Sequence, residues 1–151
     1  MNKLTGRKTI IGHKKEDKGQ YDIPLYTHGA YSGAMMIRKS VIEQTGMLPR
    51  NFFIYFDDSD VSARILKNGY KILYQPKAVV YNRASLLPSE KSAINVYYRT
   101  RNRILFMRRN SNLLQFSIFL SFFFFLTIPA TTTKFLIKRQ FTHLQSFFKG
   151  I

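Results

Sequence analysis

No cysteine occurs among the 151 residues, which excludes disulfides, zinc knuckles, thiolate nucleophiles and iron–sulfur clusters and leaves the redox compartment open. Tryptophan is absent too, histidine occurs three times, and acids are scarce: eight Asp+Glu face 24 Lys+Arg, for a net charge of +16. No acid follows Glu90. The first 90 residues carry 14 Lys+Arg with all eight acids, whereas the rest carry ten Lys+Arg unopposed. The opening MNKLTGRKTIIGHKK has too few apolar residues before its next charge to act as a secretory signal, and no N-x-[ST] acceptor occurs. The expectation is that the soluble part stays in the cytoplasm.

What is present is apolar surface. Hydrophobic residues make up 45% of the chain and phenylalanine supplies 14 of them, enough to exclude wholesale disorder, while the length sets a ceiling of one ordinary domain. A basic, Phe-rich, acid-free tail suits an anionic membrane surface. It suits nucleic acid less well, because the aromatic residues are blocked together and not interleaved with the cations. From Asn110 to Thr133 there are 24 uncharged residues, which as a helix would extend about 36 Å, enough to span a bilayer. Cations flank both ends (Arg108, Arg109; Lys134, Lys138, Arg139), so a re-entrant or in-plane segment competes with a span. Pro129 and the threonines at 131–133 are expected to break the helix and return FLIKRQFTHLQSFFKG as a second amphipathic helix. A buried helix pair in a soluble protein is the alternative. The expected division is a first domain over 1–109 and a hydrophobic, basic membrane-associating tail over 110–151.

Upstream of the tail, punctuation between short apolar runs predicts an α/β class. GAMMIR (33–38) has strand length, Ser40 with Glu43 predicts a capping box opening a helix that Gly46 closes, and NFFIYF (51–56) predicts an aromatic strand. Asp57 or Asp58 would cap a helix carrying Val61, Ile65 and Leu66 on one face and ending at Gly69. KILYQ and AVVYN predict two more strands, and SAINVYYRTRNRILFMRR a long basic amphipathic helix.

The constellation able to carry chemistry is YFDDSDVSAR, with three carboxylates in four positions. Mutual repulsion makes such a cluster a poor solubility device. Asp57, Asp58 and Asp60 would nonetheless be favoured in a first helical turn by capping and by the macrodipole, so a capping role stands beside a catalytic or metal-binding one.

Taken together, IGHKKEDKGQYD, YSGAMMIRKSVIEQTG, FFIYFDDSDVSARILKNGYKILYQPKAVVYN, YYRTRNRILF and the basic apolar tail agree in order and spacing with a known pattern. From about Ile11 to Ile151 the chain resembles the C-terminal, acceptor-side half of a family 2 glycosyltransferase with a GT-A fold, of the bacterial rhamnosyltransferase-like branch. The resemblance implies that Asp58 is the general base that deprotonates the acceptor hydroxyl, with inversion at the anomeric carbon, and that Asp57 stands where the family usually has Glu. It implies that Ser32, Gly33 and Ala34 face donor or acceptor sugar, although an ordinary strand-entry glycine explains Gly33 equally well.

Two departures accompany it. Asn82 stands where the family often has a His ligand to the divalent ion; its amide oxygen can bind Mg²⁺ or Mn²⁺, but more weakly than imidazole binds Mn²⁺. The nucleotide-holding strands and the Asp-x-Asp metal anchor belong to the family's other half, for which this chain has no residues; its own Asp58-Ser59-Asp60 lies inside the acceptor motif. The implied partners are a nucleotide-sugar donor, a polyprenyl-linked or other glycan acceptor, the cytoplasmic face of a bacterial membrane and a separate N-terminal half chain. Arg99, Arg101 and Arg103 are candidates for a lipid pyrophosphate, against the commoner role of a solvated or lipid-facing helix flank. The expected role is surface polysaccharide synthesis. A non-catalytic membrane-surface or partner-binding remnant of such a transferase is the alternative.

Overall fold

The computed structural model describes residues 1–81 and 92–151. It is mixed and helix-rich, and it divides into two compact units, one of residues 9–53 and 57–81, the other of Met1–Lys8, Ile54–Phe56 and residues 92–151.

In the 9–81 unit, β1 (Leu25–Thr27) pairs antiparallel with β2 (Ile72–Tyr74), with Tyr26 opposite Leu73. Helices α1 (Lys39–Thr45) and α2 (Asp57–Lys67) pack around Val41, Val61 and Ile65, against which Met35, Ile37, Tyr70 and Ile72 also lie. α1 ends as expected at Gly46, whose φ of 79° is the left-handed region glycine tolerates, and Gly69 (φ 81°) ends α2 in the same way.

Several expected elements do not form. GAMMIR is no strand: Ser32–Ala34 make a 3₁₀ turn, and the residues after it alternate half-buried Met35 and Ile37 with exposed Met36 and Arg38. That is a strand's period of two without a neighbouring strand to complete the ladder. The Ser40–Glu43 capping box is also absent, because α1 starts at Lys39 with Arg38 as N-cap; Glu43 pairs with Lys39 at 3.7 Å instead.

NFFIYF is not a strand either. Arg50–Phe52 form a 3₁₀ turn, and Phe53, Tyr55 and Phe56 have φ of 58°, 65° and 68°. Asn102 Nδ2 donates to the carbonyls of Ile54 (2.7 Å) and Tyr55 (3.1 Å), which a strand would have spent on a ladder. Residues 78–81 of AVVYN lie outside any strand, and Asn82 lies outside the described residues.

The other unit is built on α3 (Ala93–Asn110), α4 (Leu113–Phe122), α5 (Ile128–Ile137) and α6 (Phe141–Lys149). The expected long basic helix is α3. Asn112 and Gln115 form a capping box at the start of α4, with Asn112 Oδ1 accepting from the Gln115 N–H at 2.8 Å.

Pro129 does not break the apolar helix. Leu113–Ile137 runs continuously, with a π-helical stretch at Phe123–Thr127 just before the proline. A proline lacks the N–H for the preceding turn and crowds its carbonyl, and the wider π turn absorbs both defects. The chain reverses instead at Lys138–Gln140, where Arg139 has φ 51°, and α6 returns against α5 and α3. Phe119, Phe123 and Phe147 form the buried aromatic line of this unit, with ring centroids 5.6 Å (119 to 123) and 6.3 Å (123 to 147) apart. Only 17% of the most apolar window of Leu113–Ile137 is buried, so this helix is long and apolar enough to cross a membrane and mostly exposed in the structure.

Candidate functional site

The first turn of α2 holds Asp57, Asp58 and Asp60, where the exposed N–H groups and the macrodipole favour negative charge. None of them caps the helix from the preceding position, since both Asp57 and Asp58 are already helical. The three carboxylates have different surroundings. Asp57 and Asp58 are half-buried, and Asp58 Oδ1 accepts from the N–H (2.6 Å) and Oγ (3.0 Å) of Ser59.

Asp60 is buried, at 1% exposure, and bonded to Arg64 Nε at 3.0 Å. Arg64 also donates to the carbonyls of Thr45, Gly46 (3.0 Å) and Met47 (2.7 Å), which satisfies the C-terminal end of α1. Asp60 therefore holds α1 to α2 through Arg64.

Ser62, one turn beyond Asp58, ties a second segment to α2. Its Oγ donates to the Asp58 carbonyl (2.7 Å) and accepts from the Ala30 N–H (3.2 Å). The Ser32–Gly33–Ala34 turn thus follows directly on a loop anchored beside Asp58. Gly33 has its own local reason: a Cβ there would lie 2.5 Å from the ring of Tyr31. A shallow cavity of about 200 Å³ in this unit is lined by Tyr26, Thr27, His28, Leu66, Lys71 and Ile72, not by the carboxylates.

The candidate arginines belong to α3, in the other unit, and make different contacts. Arg99 lies 4.7 Å over the ring of Tyr55, and Arg101 donates to Asn102 Oδ1 at 2.8 Å. Arg103 donates to the Thr5 carbonyl and lies over Phe119 and Phe123 at 5.6 and 5.5 Å. Burial first, and then the like charge of Arg7, lower the Arg103 pKa to about 10, so it remains a cation at neutral pH.

Sequence reasoning missed Arg64, Ser62, Asn102 and Arg7. The spacing of Asp60 and Arg64 on one helix was a visible signal for the first; the others act across long sequence separations and left none.

Among the described residues no group of three or more His, Asp or Glu stands together to hold a metal ion. Compared with protein-family models, with curated proteins and with solved structures, the chain matches none.

Proposed function

We propose that this chain supplies the acceptor side of a membrane-associated, inverting family 2 glycosyltransferase of GT-A type, working at the cytoplasmic face of a bacterial membrane in surface polysaccharide synthesis. The observation that carries the reading is the division of labour in the first turn of α2. Asp60 is bonded to Arg64, while the half-buried Asp58 accepts from Ser59 and lies one turn before a serine that accepts from Ala30. Positive φ at Phe53, Tyr55 and Phe56, just ahead of the pair, adds support, because backbone strain gathers where function requires a fixed approach.

In this reading the Asp58 carboxylate takes the proton of the acceptor hydroxyl as its oxygen bonds to the anomeric carbon. The bond from that carbon to the nucleoside diphosphate breaks, and the diphosphate leaves with the electron pair. Asp57 positions the acceptor, together with the Ser32–Ala34 turn. The donor, the divalent ion and the residues that hold them belong to a donor-side half. Extended residues 35–38, with Met36 99% exposed, offer backbone with which a strand of such a half could pair.

The deciding experiment has two arms. Calorimetry of the 151-residue chain with a nucleoside diphosphate and Mn²⁺ should give no binding, and co-expression with a donor-side half should give transfer from a nucleotide sugar to a lipid-extractable product. Tight metal-dependent binding to this chain alone would overturn the division between halves. Absence of transfer across donor-side partners would favour the second reading, a non-catalytic membrane-surface protein.

A further inference from the structure

Three observations in the unit that carries the apolar helix concern one place. Arg7 and Arg103 both sit on aromatic rings of one helical face: Arg7 lies 5.6 Å over Phe122, and Arg103 lies over Phe119 and Phe123. Residues 119, 122 and 123 are neighbours on that face by helical spacing. No carboxylate pairs with either guanidinium among the described residues.

The arrangement is held in place. Asn2 closes a tight N-terminal turn through its side chain to Leu4 and Thr5 (2.9 Å each), and the Thr5 carbonyl accepts from Arg103. Gly6, at φ 62°, lets that turn approach α3 where a Cβ would lie 3.1 Å from Met107 and 3.2 Å from Arg103. Two like charges are thus fixed near each other with no acid among the described residues to offset them, which favours an anion as a further partner.

Apolar side chains adjoin the same aromatic line. An open cleft of about 410 Å³ is lined by Leu120, Phe123, Phe124, Phe125, Ile128 and Ile151. Phe123 belongs both to this cleft and to the surface under Arg103, so a charged contact and an apolar one meet at a single ring.

The placement of cations also limits how the helix can meet a bilayer. Arg108 and Arg109 precede it, Arg7 and Arg103 stand at the level of Phe119–Phe123, and Lys134 lies within its last turn. The uncharged stretch left, residues 124–133, is about 15 Å long at 1.5 Å per residue, half the thickness of a hydrocarbon core of about 30 Å. At its other end α6 is drawn back to α3, with Gly150 so close that a Cβ would lie 2.7 Å from the Tyr97 carbonyl oxygen.

We propose that the helix Leu113–Ile137 lies along one bilayer leaflet, with Arg7 and Arg103 binding the phosphate of an anionic lipid and the adjoining cleft taking an acyl chain of that lipid. The proposal rests on the membrane association stated above, and narrows it from a choice of topologies to one. The cleft beside the arginines selects a lipid over free phosphate, which offers nothing to its apolar walls.

The test uses the full chain with vesicles of phosphatidylcholine, with and without phosphatidylglycerol. The protein should bind both and prefer the anionic vesicles, and that preference should survive high salt, since a seated phosphate is screened less than a diffuse surface charge. Arg7→Gln, which leaves the Arg103 bond to Thr5 intact, should abolish the salt-resistant preference. Lys134→Gln should lower only the salt-sensitive part, about fivefold. Arg103→Lys keeps the charge but lacks the planar fork, and should weaken the preference in the same direction as Arg7→Gln.

Failure to bind either vesicle would overturn the membrane reading itself. Binding without preference at high salt, or a preference unchanged in both arginine variants, would overturn the lipid site while leaving membrane association standing. If inorganic phosphate abolished the preference at millimolar concentration, free phosphate would be the ligand and the lipid assignment would fall. Because the chain lacks cysteine, Ser111→Cys and Ile137→Cys report topology directly. An impermeant maleimide should label both from outside intact vesicles, and protection of one until detergent is added would show a span and overturn the in-plane placement.

Discussion

Arg64 Nε stands 3.0 Å from Oδ2 of Asp60, four residues earlier on the same helix, and the same guanidinium closes the end of α1 through the carbonyls of residues 45–47. One side chain thereby neutralises a buried carboxylate and joins two helices. Arg64→Met should destabilise the protein by about 3–5 kcal/mol, because it leaves Asp60 buried without its cation. Urea unfolding in detergent should show a lower midpoint at unchanged slope, and an unchanged midpoint would refute the clamp. Arg64→Met with Asp60→Leu should recover part of the loss.

The two other carboxylates of that turn should separate by kinetics. In an assembly that transfers sugar, Asp58→Asn should lower kcat by about 10²–10⁴-fold with donor binding retained, as removal of a general base does. Asp57→Asn should act mainly on the KM for acceptor. Near-full turnover in the Asp58 variant would remove it from the chemistry.

Asn102 is fully buried on α3 and its amide holds the carbonyls of Ile54 and Tyr55. Asn102→Ala should cost about 1–3 kcal/mol, because the carbonyls lose their donor. Tyr55 should then exchange its amide hydrogen faster and lose its stacking with Arg99. Unaltered exchange across residues 54–56 would show that other contacts hold this bend.

Gly150 marks the place where α6 reaches α3. A methyl there meets the Tyr97 carbonyl oxygen, a backbone atom that cannot swing aside. Gly150→Ala should cost about 1–3 kcal/mol through overpacking and should free the C-terminal end of α6. Limited proteolysis near Lys149 should accelerate, whereas cleavage at wild-type rate would argue against the close approach.

Attachment to membranes should depend on apolar contact. Phe124 and Phe125 are 64% and 71% exposed on the apolar helix. The protein should stay in the membrane pellet through high-salt and alkaline washes, because screening removes only the electrostatic part. Phe124→Ser with Phe125→Ser should release it, and recovery of the wild type in a detergent-free supernatant would contradict any insertion.

The local reading of the sequence succeeded where one short segment decides its own structure. Helices α1, α2 and α3, the glycines that end the first two, and the uncharged apolar helix were legible because helical spacing and positive-φ glycines act within a few residues. The strand expectations failed for the opposite reason: GAMMIR and NFFIYF carry strand composition, but a strand exists only when another segment supplies its hydrogen bonds. For residues 35–38 no neighbouring strand is present among the described residues, and at 54–55 the donor is the Asn102 side chain, 47 or more positions away. Sequence by itself determined the charge asymmetry, the absence of thiol chemistry and the acidic first turn of α2. Tertiary structure decided which carboxylate is spent on Arg64, where the tail turns back, and which arginines share an aromatic face. Those outcomes depend on distances between segments far apart in the chain, which no local pattern encodes.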